Sequence, residues 1–212
     1  MRQVNLVNNK VIGFDIDDTL TDGDDYCNSM LDEFLTMRNL PPYKGPIRSD
    51  RYALEERYPG LNSRIIKDFN NFWFPRMVNN VPVREGAKEL LEDLKRLDYR
   101  IHIITRRDKN YDKSPYKGSM MVEHTLSWFH RNKLPYDKIT FSCFDKLKTC
   151  KEQNVKILFE DSPSNILRVS KEVPVIIPIH EYNKYMIGTN MYVVDSLYPD
   201  KIIPLVENLT LL

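Results

Sequence analysis

The sequence predicts an α/β fold: a mostly parallel sheet with helices on both faces, plus a small helical segment inserted after the first strand. Three observations carry this expectation. Short apolar, β-branched runs recur and are separated by stretches of helical periodicity. Between Thr21 and Pro82 the alternation stops and helical patterns stand alone. Acidic or hydroxyl residues follow several of the apolar runs directly, where strands of an open α/β sheet meet a ligand crevice.

The first run, Val11–Ile16, drives from VIGF into Asp15, Asp17 and Asp18, followed by Thr19. In an extended chain Asp15 and Asp17 point the same way. Two anions side by side repel unless a cation lies between them, and a hard, oxygen-preferring ion such as Mg²⁺ is the natural occupant. The plain alternative is a strand that ends in an acidic turn. Asp25–Arg38, Asp50–Tyr58 and Asn62–Asn79 then read as helices, broken at Pro41-Pro42 and Pro59-Gly60. The insert returns at Val81–Val83, so residues 1–20 and 83–212 form the core and residues 21–82 the insert.

Val83–Leu97 carries a helical stripe of Ala87, Leu90, Leu91 and Leu94. The next strand, Arg100–Thr105, ends in a hydroxyl that shares the crevice with Asp15 if the two strands are neighbours. Thr105 and the backbone N–H groups after it are suitable phosphate donors, although threonine at a strand end is common. Arg106, Arg107, Lys109, Lys113 and Lys117 crowd the following loop. They read as a second anion site or as a solvated loop. Met120–Asn132 is a helix, Lys138–Ser142 a strand, and Phe144–Asn154 a helix that opens with Asp145, Lys146 and Lys148. Lys146, with Lys148 as the alternative, is placed to neutralise a phosphoryl group and a carboxylate together. A surface lysine is ordinarily only a solvated charge.

The strand Val155–Glu160 repeats the opening logic, ending in Glu160 and Asp161 before Pro163 starts a helix. Side chains of adjacent residues diverge, so one acid binds metal directly while the other orients a water or a neighbouring group. Alternatively, Asp161 or Ser162 caps the helix. The Pro163–Glu172 helix, the Pro174–Ile179 strand and the Tyr198–Leu209 helix complete the pattern.

The chain has 212 residues, 42% hydrophobic and 29% charged, so one core domain with an insert is within reach. A net charge of +1 predicts no bulk attraction to nucleic acid or anionic membrane. Cys27, Cys143 and Cys150 lack any CxxC pair, which fits a reduced, cytoplasmic protein. Met1–Lys10 has no apolar signal core, and no apolar run is long enough to cross a bilayer. His102 alternates with apolar strand residues, His124 and His130 lack partners at metal-ligand spacing, and His180 follows the Pro174–Ile179 strand. No zinc site is indicated.

Taken together, FDIDDT at Phe14–Thr19, IITRR at Ile103–Arg107, Asp145-Lys146 and FEDSP at Phe159–Pro163 resemble the haloacid dehalogenase-like hydrolase superfamily. Trp128-Phe129 and the EDSPSNI segment from Glu160 to Ile166 make the chain similar to the deoxyribonucleotidase-type branch and its bacterial nucleotidase relatives. The resemblance implies a Rossmann-like core and a helical cap. It implies Asp15 as nucleophile, forming an aspartyl-phosphate, and Asp17 as acid and base. Mg²⁺ would be held by Asp15, the Asp17 carbonyl and Asp161, with Glu160 acting through water. Thr105 and Lys146 would hold the phosphoryl oxygens, and Asp18 and Arg106 would contact substrate.

The implied activity is phosphomonoester hydrolysis of a small phosphorylated substrate, a (deoxy)nucleoside monophosphate first. The alternatives are a sugar-phosphate phosphatase, a phosphomutase, a nucleic-acid 3′-phosphatase or a non-catalytic phosphate-binding protein. Near-neutral charge speaks against the nucleic-acid version, and intact Asp15, Asp17, Lys146 and Asp161 speak against the non-catalytic one. In the cap, Phe69, Phe72, Trp73 and Phe74 offer a base-stacking surface. Their helical spacing with Ile65, Ile66 and Met77 equally fits the insert's own core. Arg76, Tyr26 and Tyr43 are further substrate-contact candidates.

Overall fold

The computed structural model describes residues 10–107 and 118–211, apart from the side chains of 72–75 and 118–120. Lys109, Lys113 and Lys117 therefore lie outside the described residues, as do the side chains of Phe72, Trp73 and Phe74. Among the described residues, six strands form one fully parallel sheet in the order β3-β2-β1-β4-β5-β6. They are β1 (Val11–Phe14), β2 (Arg100–Ile104), β3 (Lys138–Thr140), β4 (Val155–Phe159), β5 (Val175–Pro178) and β6 (Met191–Val194). From β1 the chain runs outward through β2 and β3, then returns to the other side of β1 as β4. That reversal opens a crevice at the carboxyl ends of β1 and β4.

Side-chain alternation puts helices on both faces. Ile12 and Phe14 of β1, Ile101 and Ile103 of β2, and Ile157 and Phe159 of β4 pack into one buried cluster. It also takes in Leu90, Leu91 and Leu94 of α4 (Ala87–Arg96), Trp128 and Phe129 of α5 (Gly118–Asn132), and Ile202 and Val206 of α8 (Pro199–Thr210). Val11, Ile104, Val155, Leu158, Val175 and Ile177 face the other way, against Cys150 of α6 (Lys146–Glu152) and Ile166 of α7 (Pro163–Val169). Val155 and Leu158 share a face because the β1–β4 register slips there. Val11 pairs with Val155 but Ile12 with Ile157, so one residue of β4 is skipped.

Between β1 and α4 lie α1 (Asp24–Met37), α2 (Leu54–Arg57) and α3 (Ser63–Asn80). Cys27, Leu31, Phe34, Leu35, Tyr58, Ile66 and Phe69 form a separate core there, with Phe34 and Phe69 edge to face at 5.6 Å. Phe69 thus packs inside the insert. Tyr43, expected as a substrate contact, spends its hydroxyl on the Pro46 and Pro59 carbonyls. The two chain passages into and out of this segment are joined by an antiparallel bridge between Thr21 and Val83. The Trp128 indole N–H donates to the Val81 carbonyl at 2.7 Å, anchoring the return to α5.

Several elements differ from expectation: the Val83–Leu97 helix begins only at Ala87 and the Pro163–Glu172 helix ends at Val169. The helix expected over Asp50–Tyr58 is confined to Leu54–Arg57. Ala53 before it is extended and Tyr52 is drawn onto Tyr182, with ring centroids 5.3 Å apart. The sequence reading also ended the sheet at β5, whereas β6 pairs with β5 as a short, half-exposed edge strand.

Candidate active site

Four side chains from three chain segments converge at the carboxyl ends of β1 and β4. Asp15 follows β1 directly, and its N–H still donates to the Phe159 carbonyl at 2.9 Å, so the sheet fixes its backbone. Glu160 and Asp161 follow β4, and Lys146 opens α6. One carboxylate oxygen each from Asp15, Glu160 and Asp161 lie within 4.8 Å of one another, and all three residues are buried. The Lys146 ammonium sits 2.5 Å from Asp15 Oδ1 and 2.6 Å from Glu160 Oε2, with its side chain 2% exposed. Lys148, the alternative lysine, is 70% exposed and pairs with Glu152. The helix register sets them apart: Asp145 caps α6 by accepting from the Lys148 N–H, and Lys146 at the first helical position turns into the crevice.

Both Glu160 oxygens are engaged, one by Lys146 and the other by the Ser162 N–H at 2.9 Å. Asp161 does not cap α7, and Ser162 makes no side-chain cap either. The Asp161 carboxylate instead accepts from the Thr19 hydroxyl at 3.1 Å and the Tyr182 hydroxyl at 2.8 Å. Three buried carboxylates therefore face one ammonium. Burial pushes the Asp15 carboxyl up to about 7; Lys146 pulls it down, and Glu160 and Asp17 add to the rise. Burial, then Glu160, Asp18 and Asp15, also raise Asp161 well above the carboxylate range. The uncompensated charge and the oxygen-only donor set fit a hard divalent cation.

Asp17 stands apart from this cluster. The resemblance expects it to serve as acid and base, with only its carbonyl toward the cation. The structure gives it a guanidinium: Arg107 Nη2 reaches Asp17 Oδ1 at 2.6 Å and Nε reaches Oδ2 at 3.1 Å. Asp18 takes a left-handed backbone (φ 55°) in the turn after β1. Its carbonyl accepts from Arg84 at 2.9 Å and lies 2.7 Å from His180 Nε2. Burial first, then Asp24, raises its carboxyl to about 6. Thr105 is buried where β2 ends, beside β1 as expected, and its hydroxyl accepts from the Arg107 N–H at 3.1 Å.

Asp17, Asp18, Arg106 and Arg107 line a cavity of about 410 Å³ between the sheet and the helical insert. Arg57, Tyr52 and Asn70 add polar groups, while Leu54, Phe69, Met77, Val78 and Met121 give it apolar walls.

Several of these neighbours were not anticipated. Arg57 of α2 is buried and pairs with Asp24 at 2.7 Å. Burial would raise Asp24, but hydrogen bonds from His180 and Arg57 outweigh it and hold the carboxyl at about 2. His180 and Tyr182 stack at 4.9 Å, and Tyr52 meets Tyr182 from the insert. The segment His180–Asn183 follows β5, so the strand-end logic that found Asp15 and Asp161 would have found it too. Nothing in the local sequence marks Tyr52 or Arg57.

No family model matches the chain. Solved structures do match over nearly its full length. A haloacid dehalogenase-superfamily hydrolase of subfamily IA from Geobacter sulfurreducens PCA superposes with a TM-score of 0.62 at 15% identity, covering 93% of this chain and 96% of that one. CbbY from Rhodobacter sphaeroides, in complex with phosphate, gives 0.56 at 17% identity over 89% and 95% of the two chains. A mutant of CbbY has been solved with xylulose-(1,5)bisphosphate. The β-phosphoglucomutase (pgmB) of Clostridium difficile gives 0.56 at 16% identity over 96% and 99%. The fold is that of the haloacid dehalogenase-like hydrolases. Among curated sequences, the "Putative nucleotidase YqfW" of Bacillus subtilis (strain 168) is 29% identical over 115 residues. That match takes in 53% of this chain and about half, 54%, of the relative's length.

Proposed function

We propose that this protein is a Mg²⁺-dependent phosphomonoesterase that works through an aspartyl-phosphate on Asp15, with residues 21–82 as its cap. The observation that carries this reading is the buried convergence of Asp15, Glu160, Asp161 and Lys146 at the sheet's switch point. Asp15, Asp161 and the Asp17 carbonyl would hold the cation, with Glu160 behind them. Once bound, it would supply positive charge against the phosphoryl oxygens, the main requirement of phosphoryl transfer.

The chain's own groups divide the remaining work. Asp15 attacks phosphorus in line as the bond to the ester oxygen breaks, and the departing oxygen takes a proton from Asp17. A water then returns a proton to Asp17 as its oxygen bonds to phosphorus and the bond to Asp15 breaks. Lys146 neutralises Asp15 and a phosphoryl oxygen together, and the Thr105 hydroxyl offers a further donor. Arg106, exposed at the cavity wall, and Asp18 contact the substrate's body.

The substrate we infer is a nucleoside monophosphate. The cavity combines charged residues with apolar walls, and its size suits a small molecule better than a folded phosphoprotein. The name of the Bacillus relative supports the same reading. A sugar phosphate is the second reading, favoured by the likeness to CbbY and β-phosphoglucomutase. Among the described residues no helix is long and apolar enough to cross a membrane.

The test is a phosphate-release screen with Mg²⁺ over deoxynucleotides, ribonucleotides and sugar phosphates. A preference of about tenfold or more for nucleoside monophosphates is expected. A flat, slow profile over nucleotides with faster sugar-phosphate turnover would favour the second reading, and dependence on a bisphosphate would indicate a mutase. Failure to hydrolyse even a generic aryl phosphate would overturn the enzymatic reading.

A further inference from the structure

We propose that Arg107 is the positioning residue for Asp17, fixing that carboxylate where the leaving oxygen must receive its proton. The proposal rests on the phosphatase reading above and adds a residue to it. Asp17 lies in the turn after β1, beyond the sheet's hydrogen bonds, and its side chain is 41% exposed. A short carboxylate in that setting would sample several rotamers. Arg107 removes the freedom: its planar fork takes both oxygens of the ionised carboxylate, and a proton on Asp17 frees one of them to face the leaving oxygen.

The guanidinium is itself held. Its side chain is 0% exposed, and its third nitrogen, Nη1, donates to Thr125 Oγ1 at 3.2 Å. The Thr125 hydroxyl donates in turn to the Met121 carbonyl at 2.8 Å, inside α5. On the backbone, the Arg107 N–H donates to Thr105 Oγ1 and the Arg107 carbonyl accepts from the Ser142 N–H at 3.0 Å. The ends of β2 and β3 and the body of α5 therefore place one buried fork. That fork places one half-exposed carboxylate at the wall of the cavity.

A purely structural ion pair is the competing account. Burying a guanidinium costs desolvation that one half-solvated partner repays poorly. Using two nitrogens on a single exposed carboxylate, with the third anchored to Thr125, suits placement of a reacting group better than support of the fold. Lysine would keep the charge but lose the two-point geometry. Arg106, the adjacent residue, is exposed at the same cavity. The two arginines so divide their tasks, Arg106 toward substrate and Arg107 toward Asp17.

The experiment compares an alkyl phosphate, whose alcohol cannot leave without a proton, with 4-nitrophenyl phosphate, whose phenolate can. For Arg107→Gln, kcat/KM on the alkyl ester is expected to fall by about 100-fold, within the range of general-acid catalysis, and on the nitrophenyl ester by less than about tenfold. Arg107→Lys should fall between wild type and Arg107→Gln on the alkyl ester. In an Asp17→Asn background, Arg107→Gln should cost nothing further on the alkyl ester. Equal losses on both esters, or a further loss in the Asp17→Asn background, would overturn the proposal. If the Arg107 variants do not fold, Thr125→Val removes a single arm of the network. An alkyl-selective loss of roughly three- to tenfold would then support the proposal, and an unchanged or unselective rate would overturn it. A wild-type protein that hydrolyses neither ester would remove the phosphatase reading and this one with it, an outcome distinct from those above.

Discussion

Replacing Lys146 with methionine keeps most of the stem and deletes the charge that two carboxylates share. The ammonium lies 2.5 Å from Asp15 and 2.6 Å from Glu160, out of contact with solvent. Removing one partner of a buried ion pair costs about 3–5 kcal/mol. In a chain of this size each kcal/mol moves the midpoint of thermal unfolding by roughly 2–4 °C. Lys146→Met should therefore lower Tm by about 6–20 °C with chelator present. The loss depends on pH, because the lysine matters most when Asp15 is ionised and that carboxyl sits at about 7. At pH 5 a protonated Asp15 can donate to Glu160 and soften the loss, so the deficit should be larger at pH 8. Calorimetry of both proteins at the two pH values, with chelator and then with Mg²⁺, reads this directly. A fall in Tm below about 2 °C at pH 8, or an equal fall at both, would refute the idea that Lys146 balances this cluster.

The other expectations are simpler. Asp15→Asn should abolish turnover and, with chelator present, leave stability unchanged or raised, because it removes one of three crowded carboxylates; wild-type rates in a steady-state phosphatase assay would exclude Asp15 as nucleophile. Asp17→Asn should lose activity yet keep the rise in Tm on adding Mg²⁺, and loss of that rise would contradict an acid–base role. For the metal-free protein, Asp15 at about 7 and Asp18 at about 6 stand above the unfolded value of 3.8, so their stabilisation is full below about pH 4 and drains away as pH climbs through 6 and 7. Asp24, held at about 2, acts in the opposite sense, stabilising above 3.8 and failing as pH drops toward 2. A Tm maximum near pH 4–5 in chelator, moving upward with Mg²⁺, is the expected profile; a maximum at pH 8 in chelator would contradict it. Gly86→Ala should cost about 1–3 kcal/mol in denaturant unfolding. Its φ is +78° and an added Cβ would meet the backbone of Leu197 and Tyr198 at 2.8 Å. A change under about 0.5 kcal/mol would mean this turn yields easily.

The inner strands β2, β1, β4 and β5, and the acids that follow β1 and β4, were legible because buried parallel strands read as unbroken apolar runs. The step from VIGF to Asp15, or from ILF to Glu160, marks where the sheet stops. The edge strand β6 escaped notice because its side chains are partly exposed and its pattern is short. Lys146 was chosen over Lys148 from its place at the start of α6, and burial separates the two. The partners of these groups were not legible. Asp17 and Arg107 are 90 residues apart, and Thr19 and Asp161 are 142 apart. Such pairings arise from how strands order themselves in the sheet, and no local spacing encodes them. Tyr52 was hidden for a related reason: a tertiary contact, stronger than local helical preference, shortened α2 at its N-terminal end.

One of the contacts between the insert and the core also reaches the acidic cluster. The ring of Tyr52, from the insert, rests against Tyr182, whose hydroxyl is hydrogen-bonded to Asp161. Lifting the insert away would strip Tyr182 of that packing and loosen its hold on the carboxylate. Linkage is reciprocal. Anything that strengthened the grip on charge at Asp161 would also favour the lowered insert, and a ligand that pinned the insert down would strengthen the site's hold on a cation.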